Sequence, residues 1–189
     1  MDFFDSQLKN LSAKKMNFIK PIITKTNEKK LISGMKIRLA LSGSGFLLPA
    51  HAGAICALLD KNIEIVEVAG TSGGAFTACS VATMWNQEDL LKTALKDTLD
   101  NIMSYQPSAI LKQGFNNGLV LEKFLEQKLG NICFSNVSIP LKIVATDIDN
   151  ACPFILSQQT TPDVKLSDAC RASASLPFFI HHILLITLN

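Results

Sequence analysis

A chain of 189 residues fits one domain, and 48% hydrophobic against 18% charged residues is enough to build a sizeable core. The net charge of +2 is uneven: residues 1–38 hold nine basic and three acidic side chains, whereas the rest hold nine and thirteen. No basic patch interleaved with aromatics, no Cys-x-x-Cys pair and no apolar run of membrane-spanning length is present, which argues against nucleic-acid binding, a zinc centre and a transmembrane helix.

The first 35 residues read as a basic extension (1–35). Leu8, Leu11, Phe18 and Ile19 give it some apolar character, and Pro21 breaks any helix there. A solvated leader is the plainer reading. Attraction of its lysines to an anionic membrane surface is the functional one. Asp2 and Asp5 and the lack of a sustained apolar run speak against a signal peptide. The expected localisation is therefore cytoplasmic, with peripheral membrane contact through this arm. Cys56, Cys79, Cys133, Cys152 and Cys170 are odd in number and widely spaced, and read as buried thiols of a reducing compartment.

Lys36 to Leu41 reads as a buried strand, Ser42-Gly43-Ser44-Gly45 as a glycine turn, and His51 to Leu59 as a compact apolar helix. The same unit follows at once. Ile63 to Ala69 is a strand, Gly70-Thr71-Ser72-Gly73-Gly74 a turn, and Ala75 to Met84 a helix of small residues. Two successive strand–turn–helix units imply a parallel sheet with crossover helices. Both turns then lie at the carboxyl ends of their strands, where ligands bind in open α/β sheets. The second turn reads Gly-x-Ser-x-Gly, the pattern of a nucleophile elbow that holds a serine hydroxyl clear of the sheet. The first lacks a third glycine for a dinucleotide fingerprint and a Gly-Lys-Ser/Thr ending for a Walker loop. Its exposed N–H groups suit an oxyanion instead.

Further on, Asn86 is placed to cap a helix carrying Leu90, Leu91, Ala94, Leu95, Thr98 and Leu99 at helical spacing. Pro107, Gly114 and Gly118 mark loops. Leu119 to Leu129 is a helix closed by Gly130. Ile139 to Ala145 and Phe154 to Leu156 are strands. Ser167 to Ser175 is a helix capped by Ser167 and stopped before Pro177.

With these blocks in order, the chain resembles a patatin-like phospholipase domain over about residues 36–178. Leu41-Ser42-Gly43-Ser44-Gly45 with His51-Ala52-Gly53 is similar to the family's oxyanion loop and following helix. Gly70 to Ala75 is similar to its elbow, Ile143 to Ile148 to a later core strand, and Ala169 to Pro177 to a helix-to-proline segment. The resemblance implies a three-layer α/β fold with a mostly parallel sheet and helices on both faces, spanning 36–189. It implies a serine lipid acyl hydrolase using a Ser-Asp dyad, with no metal and no cofactor, acting on phospholipid or other acyl esters. Ser72 would be the nucleophile, Gly43, Ser44 and Gly45 would supply oxyanion-hole N–H groups, and Gly70, Thr71, Gly73 and Gly74 would build the elbow. The region after Met103 would lie near the substrate entrance.

The sequence departs from the family in two places. Ser44 replaces the middle glycine of the oxyanion loop. The family's catalytic aspartate sits in an Asp-Gly-Gly or Asp-Gly-Ala block beyond the segment matching Pro177, and Asp-Gly occurs nowhere here. A serine without a base is a poor nucleophile. The expectation is thus a patatin-like domain shortened at its C-terminus, with an inactive truncated product or a lipid-binding pseudoenzyme as the alternative. Asp147, His181 and His182 are weaker candidates for a base, and His51 reads as a packing or capping histidine.

Overall fold

The computed structural model describes residues 34–97 and 118–175. The basic arm, the segment expected at the substrate entrance and the tail bearing Pro177, His181 and His182 lie outside these residues.

Among the described residues, four strands form one sheet in the order β1-β2-β3-β4: β1 Lys36–Leu41, β2 Glu64–Gly70, β3 Leu141–Asp147 and β4 Cys152–Ser157. β1, β2 and β3 run parallel, and β4 returns antiparallel through a tight hairpin. Among the described residues, five α-helices connect and cover them: α1 Leu48–Leu59, α2 Gly73–Ala82, α3 Gln87–Lys92, α4 Leu119–Leu129 and α5 Leu166–Ser173. This is the α/β class with a mostly parallel sheet that the two strand–turn–helix units imply.

Alternation along the strands, shifted once where the β1–β2 register slips at Ile37/Arg38, decides which side α2 takes. Ile65 and Val68 of β2 and Leu141, Ile143 and Ala145 of β3 are buried, and α2 packs on all three parallel strands at this face. On the alternate positions Arg38 and Lys142 both pair with Glu67. Each fully buried aliphatic side chain stabilises the domain by about 1.5–3 kcal/mol, and Val68, Leu141, Ile143, Leu156 and Leu166 are among those in this core.

α2 is buried on every side, from Gly74 to Ala82. Its small residues let it lie close to the sheet, and its polar ones are satisfied within the helix. Thr77 Oγ1 donates to Gly73 O at 3.2 Å and Ser80 Oγ to Phe76 O at 3.0 Å. Cys79 meets Cys170 of α5 with sulfurs 3.4 Å apart, both as free thiols, and burial pushes the Cys79 thiol well up. Cys56 is buried too, but Cys152 is exposed on β4 and Cys133 is only half-buried, contrary to the expectation of five buried thiols. β4 is the terminal strand of the described sheet, so an exposed side chain there is unsurprising.

Cap chemistry marks the start of α3 and the end of α4. Asn86 Oδ1 accepts from Asp89 N at 2.8 Å and starts α3, which gives way to a π-turn over Thr93–Asp97. Gly130, at φ 59°, closes α4. Ser167 is not the cap of α5. The helix begins one residue earlier, Lys165 takes the cap position, and Ser167 is buried with its Oγ 3.4 Å from Asp168 Oδ1.

Candidate active site

The chain turns sharply between β2 and α2. Ser72 holds φ 52°, ψ −125°, a region that a side chain occupies at a cost of about 1–3 kcal/mol. It occupies the cap position of α2, yet its hydroxyl caps no N–H of the helix. A serine there ordinarily accepts from the second or third helical N–H. Here the turned backbone leaves the hydroxyl uncommitted, while Ser72 O accepts from Ala75 N at 2.9 Å and opens the helix.

Two glycines make this turn sterically feasible. A Cβ on Gly70 would run into the Gly74 carbonyl, and a Cβ on Gly74 would run into the carbonyls of Leu41 and Ser42. The elbow is thus wedged against the end of β1, and Thr71 N donates to Leu41 O at 3.2 Å. A side chain on Gly73 would instead meet the Ser44 hydroxyl, with Leu48 Cδ1 at 3.3 Å and Gly45 N at 3.4 Å.

The loop after β1 therefore lies directly across the elbow. A Cβ on Gly43 would stand 3.7 Å from Ser72 Cβ. Gly45 sits at φ 48° and begins a 3-10 turn over Gly45–Leu47 that leads into α1. Among the described residues, no acceptor takes the N–H of Gly43, Ser44 or Gly45. Ser44 Oγ is likewise buried without a hydrogen-bond partner there. So Gly43, Ser44, Gly45, Gly70, Thr71, Ser72, Gly73 and Gly74 all gather at the carboxyl ends of β1 and β2.

A third element joins them. Ser173, at the end of α5, accepts from Ser72 N at 2.7 Å and donates to Val144 O of β3 at 2.6 Å. The sequence block containing Ser173 stood out, but nothing in its spacing showed this contact with the elbow.

Asp147 closes the β3–β4 hairpin. Its Oδ1 accepts from the N–H groups of Asp149 and Asn150 at 3.0 and 3.1 Å, and its Oδ2 from Asn150 Nδ2 at 2.8 Å. Donation by Asn150 holds its carboxyl below the usual range. His51 is the fourth residue of α1; its Nδ1 is buried without a partner among the described residues, and burial lowers its pKa. No group of three or more His, Cys, Asp or Glu side chains is placed to hold a metal among the described residues. No helix among them is long and apolar enough to cross a membrane.

A mostly parallel α/β sheet with a serine on a sharp strand-to-helix turn, beside a glycine loop, is the class of fold and site geometry that this chain presents. The family model of patatin-like phospholipase matches residues 39–185, and the chain belongs to that family.

The chain is 31% identical over 169 residues to an uncharacterized protein of Acanthamoeba polyphaga mimivirus, covering 82% of this chain and 57% of that protein. It is 26% identical over 166 residues to triacylglycerol lipase ptl2 of Schizosaccharomyces pombe, covering 79% and 26%. It is 28% identical over 174 residues to the uncharacterized protein YqhO of Bacillus subtilis, covering 81% and 60%. The chain thus spans between a quarter and three-fifths of the length of these relatives. Among solved structures, VipD from Legionella pneumophila matches with a TM-score of 0.52 at 16% identity, over 76% of this chain and 43% of that one, a likeness of fold.

Proposed function

We propose that this chain is a lipid acyl hydrolase that cleaves phospholipid or other acyl esters through Ser72. The observation that carries this reading is the Ser72 hydroxyl, which stands at a helix cap position without capping, beside a loop whose N–H groups find no acceptor among the described residues. An ordinary structural cap would be spent on the helix.

In this reading Ser72 Oγ attacks the ester carbonyl carbon, and the C–O bond to the leaving alcohol breaks after the tetrahedral intermediate forms. The N–H groups of Gly43, Ser44 and Gly45 receive the oxyanion. Fixed donors of this kind are worth about 2.7–4 kcal/mol each when removed singly. The N-terminus of α2 points its partial positive charge at the same place. Water then hydrolyses the acyl-serine. The Ser72 proton passes to a base and from it to the leaving alcohol; the family's Asp-Gly block does not occur in this sequence, and His181 and His182 are the candidates for that role in this chain. The substrate class follows the family, and triacylglycerol lipase ptl2 carries a lipid ester in its name. The basic arm over residues 1–35 serves as a peripheral contact with anionic lipid surfaces.

Hydrolysis of a short-chain acyl ester by the chain and by its Ser72→Ala variant tests the proposal. Turnover by wild type that falls to the buffer rate in Ser72→Ala supports it. Equal rates from two folded proteins overturn it and favour a lipid-binding chain without catalysis.

A further inference from the structure

Ser72 N lies before the first turn of α2, so the hydrogen-bond ladder of the helix offers it no acceptor. Its partner comes from 101 residues away, the Ser173 hydroxyl at 2.7 Å. A hydroxyl has one proton and two lone pairs. The Ser173 proton is committed to Val144 O at 2.6 Å, which turns the oxygen's lone pair toward Ser72 N. Thr71 Oγ1 donates to the same Val144 carbonyl at 3.3 Å and stands 3.4 Å from Ser173 Oγ. The end of α5 is itself tied: Arg171 donates to Ser175 Oγ at 2.8 Å, and Ser175 Oγ donates to Arg171 O at 2.9 Å.

We propose that Ser173 is the positioning residue of the nucleophile: it clamps the strained Ser72 backbone to β3 through one hydroxyl, and so sets where the Ser72 Oγ points. The proposal rests on the reading of Ser72 as nucleophile. Strain at φ 52° persists only where the surroundings over-determine it. The Gly70 and Gly74 contacts make room for the turn, and the Ser173 hydroxyl holds its amide. It also makes the elbow sensitive to α5, an element with no place in the Gly-x-Ser-x-Gly motif.

Amide hydrogen exchange at Ser72, followed by NMR in the full chain, tests the clamp independently of activity. Ser173→Ala should raise Ser72 exchange about tenfold, the size of one lost hydrogen bond, with Val68 and Ile143 amides unchanged. Ser173→Thr, which keeps the hydroxyl, should restore protection. Where the ester is turned over, Ser173→Ala should lower kcat by roughly ten- to a hundredfold, the scale of a misplaced reacting group, with KM little changed. Unprotected Ser72 amide in the wild type, or equal exchange in wild type and Ser173→Ala, overturns the clamp. If the alanine variant does not fold, Ser173→Val, which matches threonine in shape but lacks its hydroxyl, takes its place, and exchange equal to wild type overturns the clamp. Equal hydrolysis by wild type and Ser72→Ala instead removes the nucleophile reading, and with it the catalytic meaning of a clamp that exchange still detects.

Discussion

Ser72 shows how a single residue can be held against its own conformational preference. Its φ of 52° is tolerable because Gly70 and Gly74 leave space that any other residue would fill with a Cβ set against backbone carbonyls. Gly74→Ala should therefore cost about 3 kcal/mol, since backbone cannot step aside. Gly73→Ala should cost only about 1 kcal/mol, because its obstacle is the movable Ser44 hydroxyl. Chemical denaturation of the two variants checks the ordering, and a Gly73 variant as unstable as the Gly74 one would contradict it. The elbow was legible in the sequence because glycine on both sides of a serine is itself a steric signature. Asp147 was a different case. Its position at a strand end suggested a weak candidate base, but three turn hydrogen bonds occupy both its oxygens. Asp147→Asn should leave labelling of Ser72 by a fluorophosphonate within about twofold of wild type, since the residue does its work in the hairpin. A loss of labelling in a folded variant would restore it to the site.

At the scale of elements, the strands and helices follow signals that lie within a few residues of one another. β1, β2, α1 and α2 come from apolar runs broken by glycine turns, and Asn86 and Gly130 mark helix ends by their own chemistry. Ser167 misled because a serine ahead of an apolar run looks like a cap, whereas burial of its side chain moved the start of α5 back to Leu166. The π-turn after α3 left no mark either, since the sequence signals there resemble a continuing helix. α1 carries a consequence for pH. Burial lowers the His51 pKa from its ordinary value near 6.5, and its Nδ1 finds no partner among the described residues. Below about 6.5 the unfolded chain then binds the His51 proton before the folded one does. The stability contributed by this group is full above that pH and is lost as pH falls toward the lowered folded value. His51→Gln should flatten this part of the slope between pH 7 and 5 in thermal melts, and an unchanged slope would contradict the assignment.

At the scale of the molecule, the site is a meeting of segments distant in sequence. The loop after β1, the elbow after β2, the Val144 carbonyl of β3 and the last turn of α5 converge on one serine. Pattern along the chain revealed the first two, since each is a local motif beside its own strand. It could not reveal the Ser173 contact, because a hydrogen bond across 101 residues depends on how α5 packs against β3 and α2. The Ser72 hydroxyl, which caps no N–H of its helix and lies beside a loop whose N–H groups find no acceptor among the described residues, ties fold to chemistry. The most direct measurement is therefore covalent. Incubation of the chain with a fluorophosphonate, followed by peptide mass spectrometry, should place the adduct on Ser72 and nowhere else, and Ser72→Ala should take up none. A folded wild type that stays unlabelled, or that carries the adduct on another residue, would contradict the account.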